Sequence, residues 1–163
     1  RNSDVILLAV DLSDAPQVQA GLLLEQLQKW RITGKRVVIV GTKNDLLLTS
    51  EGASALSGSL LEGQITLSVS TSSEDGLDEL REVVFIASEV IRVYSKEPGK
   101  EPDLMSPFTL PAGTTVIELA KKIHKDFVSN IKHARVWGSA RIQGQKVQRD
   151  YALRDGDVVE IHL

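Results

Sequence analysis

Two continuous apolar runs constrain the fold of this chain more than any other feature. Residues 5–10 read VILLAV and residues 36–41 read RVVIVG. Runs of this kind are typical of strands that are covered on both faces, as in a parallel sheet. Between them, leucines recur at helical spacing on a segment that starts near Pro16 and stops at Gly34. A strand, an amphipathic helix and a second strand predict an α/β unit, with Trp30 at the helix end in its core.

The alternation of strands and helices continues to about residue 88. Residues 65–69 read as a third strand, and residues 77–87 carry apolar side chains at helical spacing. Residues 50–61 favour a short helix, although they are rich in Gly and Ser. The order βαβαβα predicts an α/β fold with a parallel sheet.

The pattern changes near Glu89. A strand at 90–94, an exposed Pro- and Gly-rich loop at 96–103 and a strand at 108–110 come first. The capping-box spacing of Thr115 and Glu118 then opens a helix whose apolar face runs from 116 to 131. A strand at 134–137, a hairpin region at 142–147 and a last strand after a turn at 153–157 complete the pattern. One helix among about four short strands predicts a small α+β domain that resembles a ubiquitin-like β-grasp. We therefore expect two domains, residues 1–89 and 90–163.

Composition excludes several classes of protein. The 163 residues contain no cysteine, so disulfides and thiolate metal sites are excluded, which is compatible with the cytosol. The three histidines have no spacing typical of metal ligands, and we expect no metal site in this chain. No apolar run approaches the roughly 18 residues of a membrane span, so a membrane partner is not expected.

Charge is distributed unevenly between the two predicted domains. Residues 1–88 carry 7 Lys and Arg against 12 Asp and Glu, whereas residues 89–163 carry 12 against 10. The second half is therefore the better partner for a polyanion, although its positive excess is small.

The tetrapeptide Thr42-Lys43-Asn44-Asp45 is the strongest candidate for a binding site. It follows the second apolar run, and loops just past parallel strands are where α/β sheets bind ligands. A carboxylate there can accept two hydrogen bonds from a flat edge that carries an N–H and an NH2 group, which guanine offers and adenine does not. The alternative interpretation is that Asp45 caps a helix or forms a turn, since aspartate after a strand commonly does so.

The second half resembles the TGS domain of the DRG branch of Obg-like GTPases. The resemblance runs from about Val90 to Leu163 and rests on IRVYSKEPGK at 91–100, IHK at 123–125, VWG at 136–138, QKV at 145–147 and LRDGDVVEI at 153–161. Beside it, residues 42–45 resemble the fourth motif of GTPases, [NT]-K-x-D. Residues 70–72, Ser-Thr-Ser, resemble the fifth, S-A-x, at the expected place after the next strand.

The resemblance implies a role for each motif residue in guanine binding. Asp45 would accept hydrogen bonds from guanine N1–H and the N2 amine, and Lys43 would stack on the base. The backbone N–H of Thr71, which replaces the usual Ala, would donate to guanine O6. The remaining members would brace or shape the two loops: Thr42, Asn44, Ser70 and Ser72.

The resemblance also implies what this sequence does not carry. No G-x-x-x-x-G-K-[ST] or D-x-x-G is present, and the family has these upstream of its strand at 5–11. The chain therefore looks like the C-terminal part of a P-loop-type G domain followed by a TGS domain. A longer parent would bind GTP or GDP and hydrolyse GTP with Mg²⁺ held by the missing half. The chain alone should be inactive, and its strand 5–11 would present an exposed edge that favours self-association.

A second hypothesis is a non-catalytic TGS module that binds RNA, the ribosome or a protein partner without nucleotide. Basic side chains along the second-half helix form a stripe, followed by a further cation: Lys122, Lys125, Lys132 and Arg135. The stripe predicts an RNA contact or, alternatively, only a solvated helix face. Two single residues carry further expectations. We expect Asp11 to cap the next helix and Trp137 to serve packing rather than base stacking.

Overall fold

The computed structural model describes residues 3–47, 56, 61 and 63–163. It contains two compact units, Arg1–Ser88 and Glu89–Leu163. The first is an α/β unit with a parallel sheet, and the second is a small α+β unit of the ubiquitin-like β-grasp type. The predicted fold class is confirmed.

The first unit alternates strands and helices around a three-stranded sheet. Its elements are β1 (Val5–Asp11), α1 (Pro16–Lys29), β2 (Arg36–Thr42), a 3-10 turn (Asn44–Leu46), β3 (Ile65–Ser68) and α2 (Leu77–Ala87). The strand order is β1-β2-β3, and both strand pairs are parallel. The predicted helix at 50–61 lies outside the described residues except for positions 56 and 61.

The sheet of the first unit is covered on both faces, which is why its strands are apolar throughout. On one face, Leu8 and Ile39 pack with Ala20 of α1. On the other, Val38 and Leu67 pack with the helix α2. Burial on both faces removes the polar positions that a half-exposed strand would carry.

Trp30 does not lie in the core, and that prediction is wrong. Helix α1 ends at Lys29, and Trp30 is its C-terminal cap residue with 65% of its surface exposed. The helical spacing of the leucines predicts Trp30 on the apolar face of the helix, but the helix ends one residue earlier.

The second unit is a five-stranded sheet packed on one side by helices. Its elements are β4 (Val90–Lys96), β5 (Phe108–Pro111), α3 (Val116–Ile123), α4 (Phe127–Asn130), β6 (His133–Trp137), β7 (Gln145–Val147) and β8 (Asp157–His162). The strand order is β5-β4-β8-β6-β7. The central pair β4 and β8 is parallel, and the other pairs are antiparallel. There are five strands among the described residues, where the sequence indicated about four.

Helix α3 begins as predicted but ends early. The Thr115 backbone N–H donates to Glu118 Oε2 over 2.7 Å, which forms the capping box. The helix stops at Ile123 because His124 takes an extended conformation, with φ −158°. A separate short helix, α4, follows at Phe127–Asn130. The prediction of one helix to residue 131 is therefore wrong.

The turn before β8 is fixed by two neighbouring carboxylates. Asp157 is fully buried and accepts hydrogen bonds from the Ser139 N–H (2.6 Å), the Ser139 hydroxyl (2.8 Å) and the Arg154 N–H (2.9 Å). Asp155 accepts from the Arg92 guanidinium over 2.7 Å, and this contact lowers the pKa of the Asp155 carboxyl. The LRDGD segment therefore has a structural role in this unit.

Candidate nucleotide-binding site

The three parallel strands of the first unit end at one edge of the sheet. Asp11 at the end of β1 is the register partner of Thr42, and Gly41 is the partner of Ser68 at the end of β3. In α/β sheets, this carboxyl edge is where ligands bind. The loops that follow β2 and β3 carry both candidate motifs, so the fold places residues 42–45 and 70–72 beside each other.

The loop after β2 is attached to both neighbouring strands. The Thr42 hydroxyl donates to the Val10 carbonyl over 2.9 Å on the β1 side. The Asn44 backbone N–H donates to the Val69 carbonyl over 3.2 Å on the β3 side. Because the two bonds pull in opposite directions across the edge, they hold the tetrapeptide over the end of β2.

Lys43 occupies a backbone conformation that side chains other than glycine seldom adopt. Its φ is 62°, in the left-handed region, and such conformations cost free energy that the surrounding contacts must offset. Its ammonium forms an ion pair with Asp11 Oδ2 over 2.5 Å. The Lys43 ammonium and the two hydrogen bonds from Ser13 lower the pKa of the Asp11 carboxyl to about 2.

Asp11 does not cap the helix that follows it, contrary to the prediction. The N-terminal cap residue of α1 is Ala15, which makes no side-chain capping hydrogen bond. Asp11 Oδ1 instead accepts from the Ser13 N–H (2.9 Å) and the Ser13 hydroxyl (2.6 Å), while Oδ2 faces Lys43. Sequence reasoning missed this contact, because it depends on the alignment of β1 with β2.

Asp45 is held by a buried serine of the neighbouring loop. The Ser70 hydroxyl donates to Asp45 Oδ1 over 2.5 Å, and Ser70 is fully buried. The same hydroxyl oxygen accepts from the backbone N–H groups of Ser72 (3.1 Å) and Ser73 (3.2 Å). One side chain therefore shapes its own loop and fixes the orientation of the carboxylate in the other.

The site retains an acceptor and a donor that the described residues do not use. Asp45 is exposed, and no donor from the described part of the chain reaches its Oδ2. Thr71 is also exposed, and among the same residues its backbone N–H has no acceptor within hydrogen-bonding distance. A planar ligand edge that carries donors on one side and an acceptor on the other would match this pair.

Gly76 closes the loop that contains Ser70. Its φ is +72°, and a Cβ at this position would lie 2.3 Å from the carbonyl oxygen of Ser68. Backbone cannot move aside as a flexible side chain can, so the close approach requires glycine. The sequence showed Gly76 only as the end of a loop, and its packing role appears once β3 is placed.

The residues predicted to contact RNA do not lie on one helix. The helix break separates Lys122, which donates to the Thr109 carbonyl over 2.9 Å, from Lys125. Lys132 lies before β6 and donates to the Leu163 carbonyl over 3.0 Å. Arg135 lies on β6, opposite Lys146 of β7 in the register.

Arg135 belongs to the sheet face that points away from the core of the second unit. Residues Ala134 and Val136 are buried, so the alternate positions of β6 face outward. A row across four strands is formed by register partners on that face: Lys96, Glu160, Arg135 and Lys146.

Aromatic rings lie beside this row. The rings of His133 and His162 stack with centroids 4.5 Å apart. Burial is the main cause that lowers the pKa of His133, and neighbouring cations, including Lys146, lower it further. The Lys96 ammonium lies 4.9 Å from the Trp137 ring centroid, and that ring also covers Gly144.

Two further kinds of site, a metal centre and a membrane span, concern the described residues. No group of three His, Asp or Glu side chains is placed to hold a metal ion there. No helix in the same ranges is long and apolar enough to cross a membrane.

Comparison with known proteins gives the proteins to which this chain is similar. The TGS domain model matches residues 91–163. An uncharacterized GTP-binding protein of Methanocaldococcus jannaschii is 40% identical over 100 residues, which cover 61% of this chain and 26% of the relative. Developmentally-regulated GTP-binding protein 1 of Xenopus laevis is 40% identical over 86 residues, which cover 52% of this chain and 23% of the relative. The chain thus spans about a quarter of the length of these curated relatives.

Solved structures agree with the fold. The crystal structure of a GTP-binding protein from Pyrococcus horikoshii matches with a TM-score of 0.55 and 22% identity, over 86% of this chain and 49% of that one. The YchF GTPase of Schizosaccharomyces pombe matches with a TM-score of 0.59 and 13% identity, over 80% and 44%. Together with the relatives above, these matches make the chain similar to GTP-binding proteins, with a match to the TGS domain model at residues 91–163.

Proposed function

We propose that the first unit recognises the base of a guanine nucleotide, as the base-reading part of a G domain over residues 1–89. The observation that carries this proposal is the Asp45 carboxylate, which Ser70 holds from the buried side over 2.5 Å and which is exposed on the other. A carboxylate fixed in this way is ready to bind before a ligand arrives, so little ordering cost remains.

The chemistry of the site favours guanine over adenine. Asp45 would accept the N1–H and N2 amine of guanine, whereas adenine would place a lone pair against the carboxylate. Charge-assisted hydrogen bonds contribute roughly 1.5–3 kcal/mol each, so a wrong base that leaves them unmade is strongly disfavoured. The Thr71 N–H would donate to guanine O6, and the Lys43 stem would lie along the base. Asn44 and Ser72 would hold the two loops in place.

For a protein of the relatives' length, we propose GTP and GDP binding with slow GTP hydrolysis in the cytoplasm. The relatives' names as GTP-binding proteins support this. The phosphates and Mg²⁺ would need a P-loop, and the 163-residue sequence holds no G-x-x-x-x-G-K-[ST]. We therefore assign base recognition, and no hydrolytic step, to the residues of this chain.

The proposal is tested by titrating the 163-residue chain with nucleosides, which carry no phosphate and so report the base site alone. Two-dimensional NMR should show guanosine binding with weak affinity and perturbation of residues 43–45 and 70–72. Adenosine should bind far more weakly. The matched variant Asp45→Asn places an amide donor where the carboxylate was. It should therefore lose guanosine and gain xanthosine, whose C2 carbonyl accepts from that donor.

Two results would contradict this function. Equal binding of adenosine and guanosine would show that Asp45 does not read the base. An unchanged nucleoside preference in Asp45→Asn would show that the carboxylate faces another ligand or none.

The second candidate function is an RNA contact by the TGS domain, and the outward sheet face favours it. Arg135 and Lys146 are both exposed on adjacent strands, while the one carboxylate of that row, Glu160, is buried and paired with Lys96 over 2.6 Å. The face is therefore locally cationic, and the stacked imidazoles of His133 and His162 add ring surface. Cations beside aromatic rings suit a single-stranded polyanion with bases. A protein partner or the ribosome would use the same unit in the alternative form of this hypothesis.

Paired charge reversals distinguish the surfaces. We expect Arg135→Glu with Lys146→Glu to weaken retention of a mixed-sequence single-stranded RNA and to reduce the slope of log affinity against log salt by about two. Lys122→Glu with Lys125→Glu makes the same charge change on the helical side and serves as the control. Loss in the control pair alone would move the RNA contact to that side. Unchanged binding in both pairs would rule out an RNA contact through either surface.

A further inference from the structure

Asp11 lies outside both sequence motifs, yet it contacts the base-reading loop. It ends β1, one strand away from the tetrapeptide, and the register pairs it with Thr42. Its Oδ2 lies 2.5 Å from the Lys43 ammonium. This contact joins residues 32 apart in the chain, and the strand pairing brings them together.

The two functional side chains of the tetrapeptide are held in opposite directions. Asp11 draws the end of Lys43 towards β1, and Ser70 holds Asp45 on the side of β3. The long apolar stem of Lys43 therefore has both ends fixed: its backbone by the strained φ of 62° and its ammonium by the carboxylate. A free lysine would lose the freedom of four rotatable bonds when it covered a base, and this entropy cost is already met here.

We propose that Asp11 is a positioning residue for base recognition, which orients the stem of Lys43 so that it forms one wall of the base site. This inference rests on the proposed function of the first unit. Asp11 does not touch the base itself; it acts through Lys43. The low pKa of Asp11, about 2, keeps the carboxylate charged at any pH used for binding assays.

The variant Asp11→Asn isolates this role. Asparagine keeps Oδ1, which accepts from the Ser13 N–H and hydroxyl, and removes the charge at the position that faces Lys43. Ser13→Ala is the matched control, because it removes one Asp11 contact and leaves the ion pair with Lys43. An unchanged two-dimensional NMR pattern away from the site establishes that each variant is folded.

The test measures guanosine affinity of the 163-residue chain by NMR titration. Asp11→Asn should weaken guanosine binding about two- to fivefold, the range expected for an ion pair at a partly exposed site. Asp11→Glu should restore part of the affinity, and Ser13→Ala should match wild type. In a Lys43→Met background, Asp11→Asn should have no further effect, because its partner is gone. The hydrogen-bonded Nζ–H signal of Lys43 should disappear in Asp11→Asn and persist in Ser13→Ala.

The outcomes separate this inference from the proposed function. The positioning role is wrong, and base recognition stands, if wild type prefers guanosine but Asp11→Asn binds guanosine equally well. The same conclusion follows if Asp11→Asn weakens guanosine binding as much in the Lys43→Met background as in wild type. If wild type shows no preference for guanosine over adenosine, base recognition fails, and the role proposed for Asp11 fails with it.

Discussion

Each unit of the chain contains an aspartate that accepts a hydrogen bond from a serine hydroxyl. The two aspartates differ in burial and in the number of hydrogen bonds that they accept. In the second unit, Asp157 is fully buried and takes three hydrogen bonds, two of them from Ser139. In the first unit, Asp45 is exposed and takes one, from Ser70. Ser139 is more exposed than Asp157, whereas Ser70 is buried and Asp45 is exposed.

The difference shows how a structural carboxylate is distinguished from one available to a ligand. A buried carboxylate must have its lone pairs satisfied by the protein, since no water replaces a missing donor. Asp157 meets this requirement and fixes a turn. One oxygen of Asp45 has no donor among the described residues. The single contact, from Ser70, orients the carboxylate without burying it. A preorganised binding group needs this arrangement, in which the protein holds one oxygen and leaves the other available to a ligand.

The same substitution at both positions should give the largest contrast. We expect Asp157→Asn to lower the free energy of unfolding by about 3–4 kcal/mol, because in either amide orientation an NH2 group faces a backbone N–H that needs an acceptor. Asp45→Asn should change it by no more than about 0.5 kcal/mol, since Oδ1 can still accept from Ser70. Urea unfolding of the whole chain measures both. Equal losses at the two sites would mean that Asp45 is a structural residue.

The glycine behind Ser70 should show the next largest effect. Gly76→Ala adds a Cβ that would lie 2.3 Å from the Ser68 carbonyl oxygen, at φ +72°. We expect a loss of about 2–3 kcal/mol from strain and crowding together. Gly34 is a matched control, because its φ is +71° but nothing lies within 4 Å of the added atom. Gly34→Ala should therefore cost about 1 kcal/mol, from the left-handed conformation alone. Denaturant unfolding that gives equal losses would show that the contact with Ser68 is unimportant.

The fold was predictable wherever burial alone sets the pattern. The runs at 5–10 and 36–41 became β1 and β2 because both faces of that sheet are covered. The same reasoning failed at His124. Ile123 and Ile131 both pack on the core of the second unit, so the helical spacing of apolar residues continued while the backbone did not. Periodicity reports which side chains are buried, and a break in the backbone between them leaves little trace.

The candidate site was predictable only where its parts are local in sequence. A short motif identifies Asp45, and a second one after the next strand identifies Ser70. The bond between these two residues and the ion pair between Asp11 and Lys43 depend on which strand ends adjoin. No spacing in a single sequence contains that information, which is why Asp11 was expected to cap a helix.

The next largest effect is expected from acid, at the buried ion pair of the second unit. The Lys96 ammonium, 2.6 Å from Glu160, lowers the pKa of that carboxyl below its ordinary value of 4.5, and His162 adds to this. Because the folded pKa is the lower one, the stabilisation is present above pH 4.5 and is lost as pH falls through the folded value. We expect wild type to lose more stability than Glu160→Gln between pH 5 and pH 3, measured by urea unfolding at each pH. Parallel curves for the two proteins would contradict this.

The smallest effect is expected two residues before Asp157, at Asp155. Its partner Arg92 is half-exposed, and Asp155 itself is about one-third exposed, so water screens the pair. Asp155→Asn keeps Oδ1 as the acceptor for the Arg92 backbone N–H, and it loses the charge and the Oδ2 acceptor of the half-exposed Arg92 guanidinium. The change in unfolding free energy should stay within the roughly 0.5 kcal/mol of ordinary surface substitutions, several times less than at Asp157. Urea unfolding of the two single variants side by side makes this comparison. Both carboxylates accept three hydrogen bonds, so the comparison tests burial alone. If Asp155→Asn cost as much as Asp157→Asn, burial would not be what separates a structural carboxylate from an available one. The exposure of Asp45 would then no longer support it as the base-reading group.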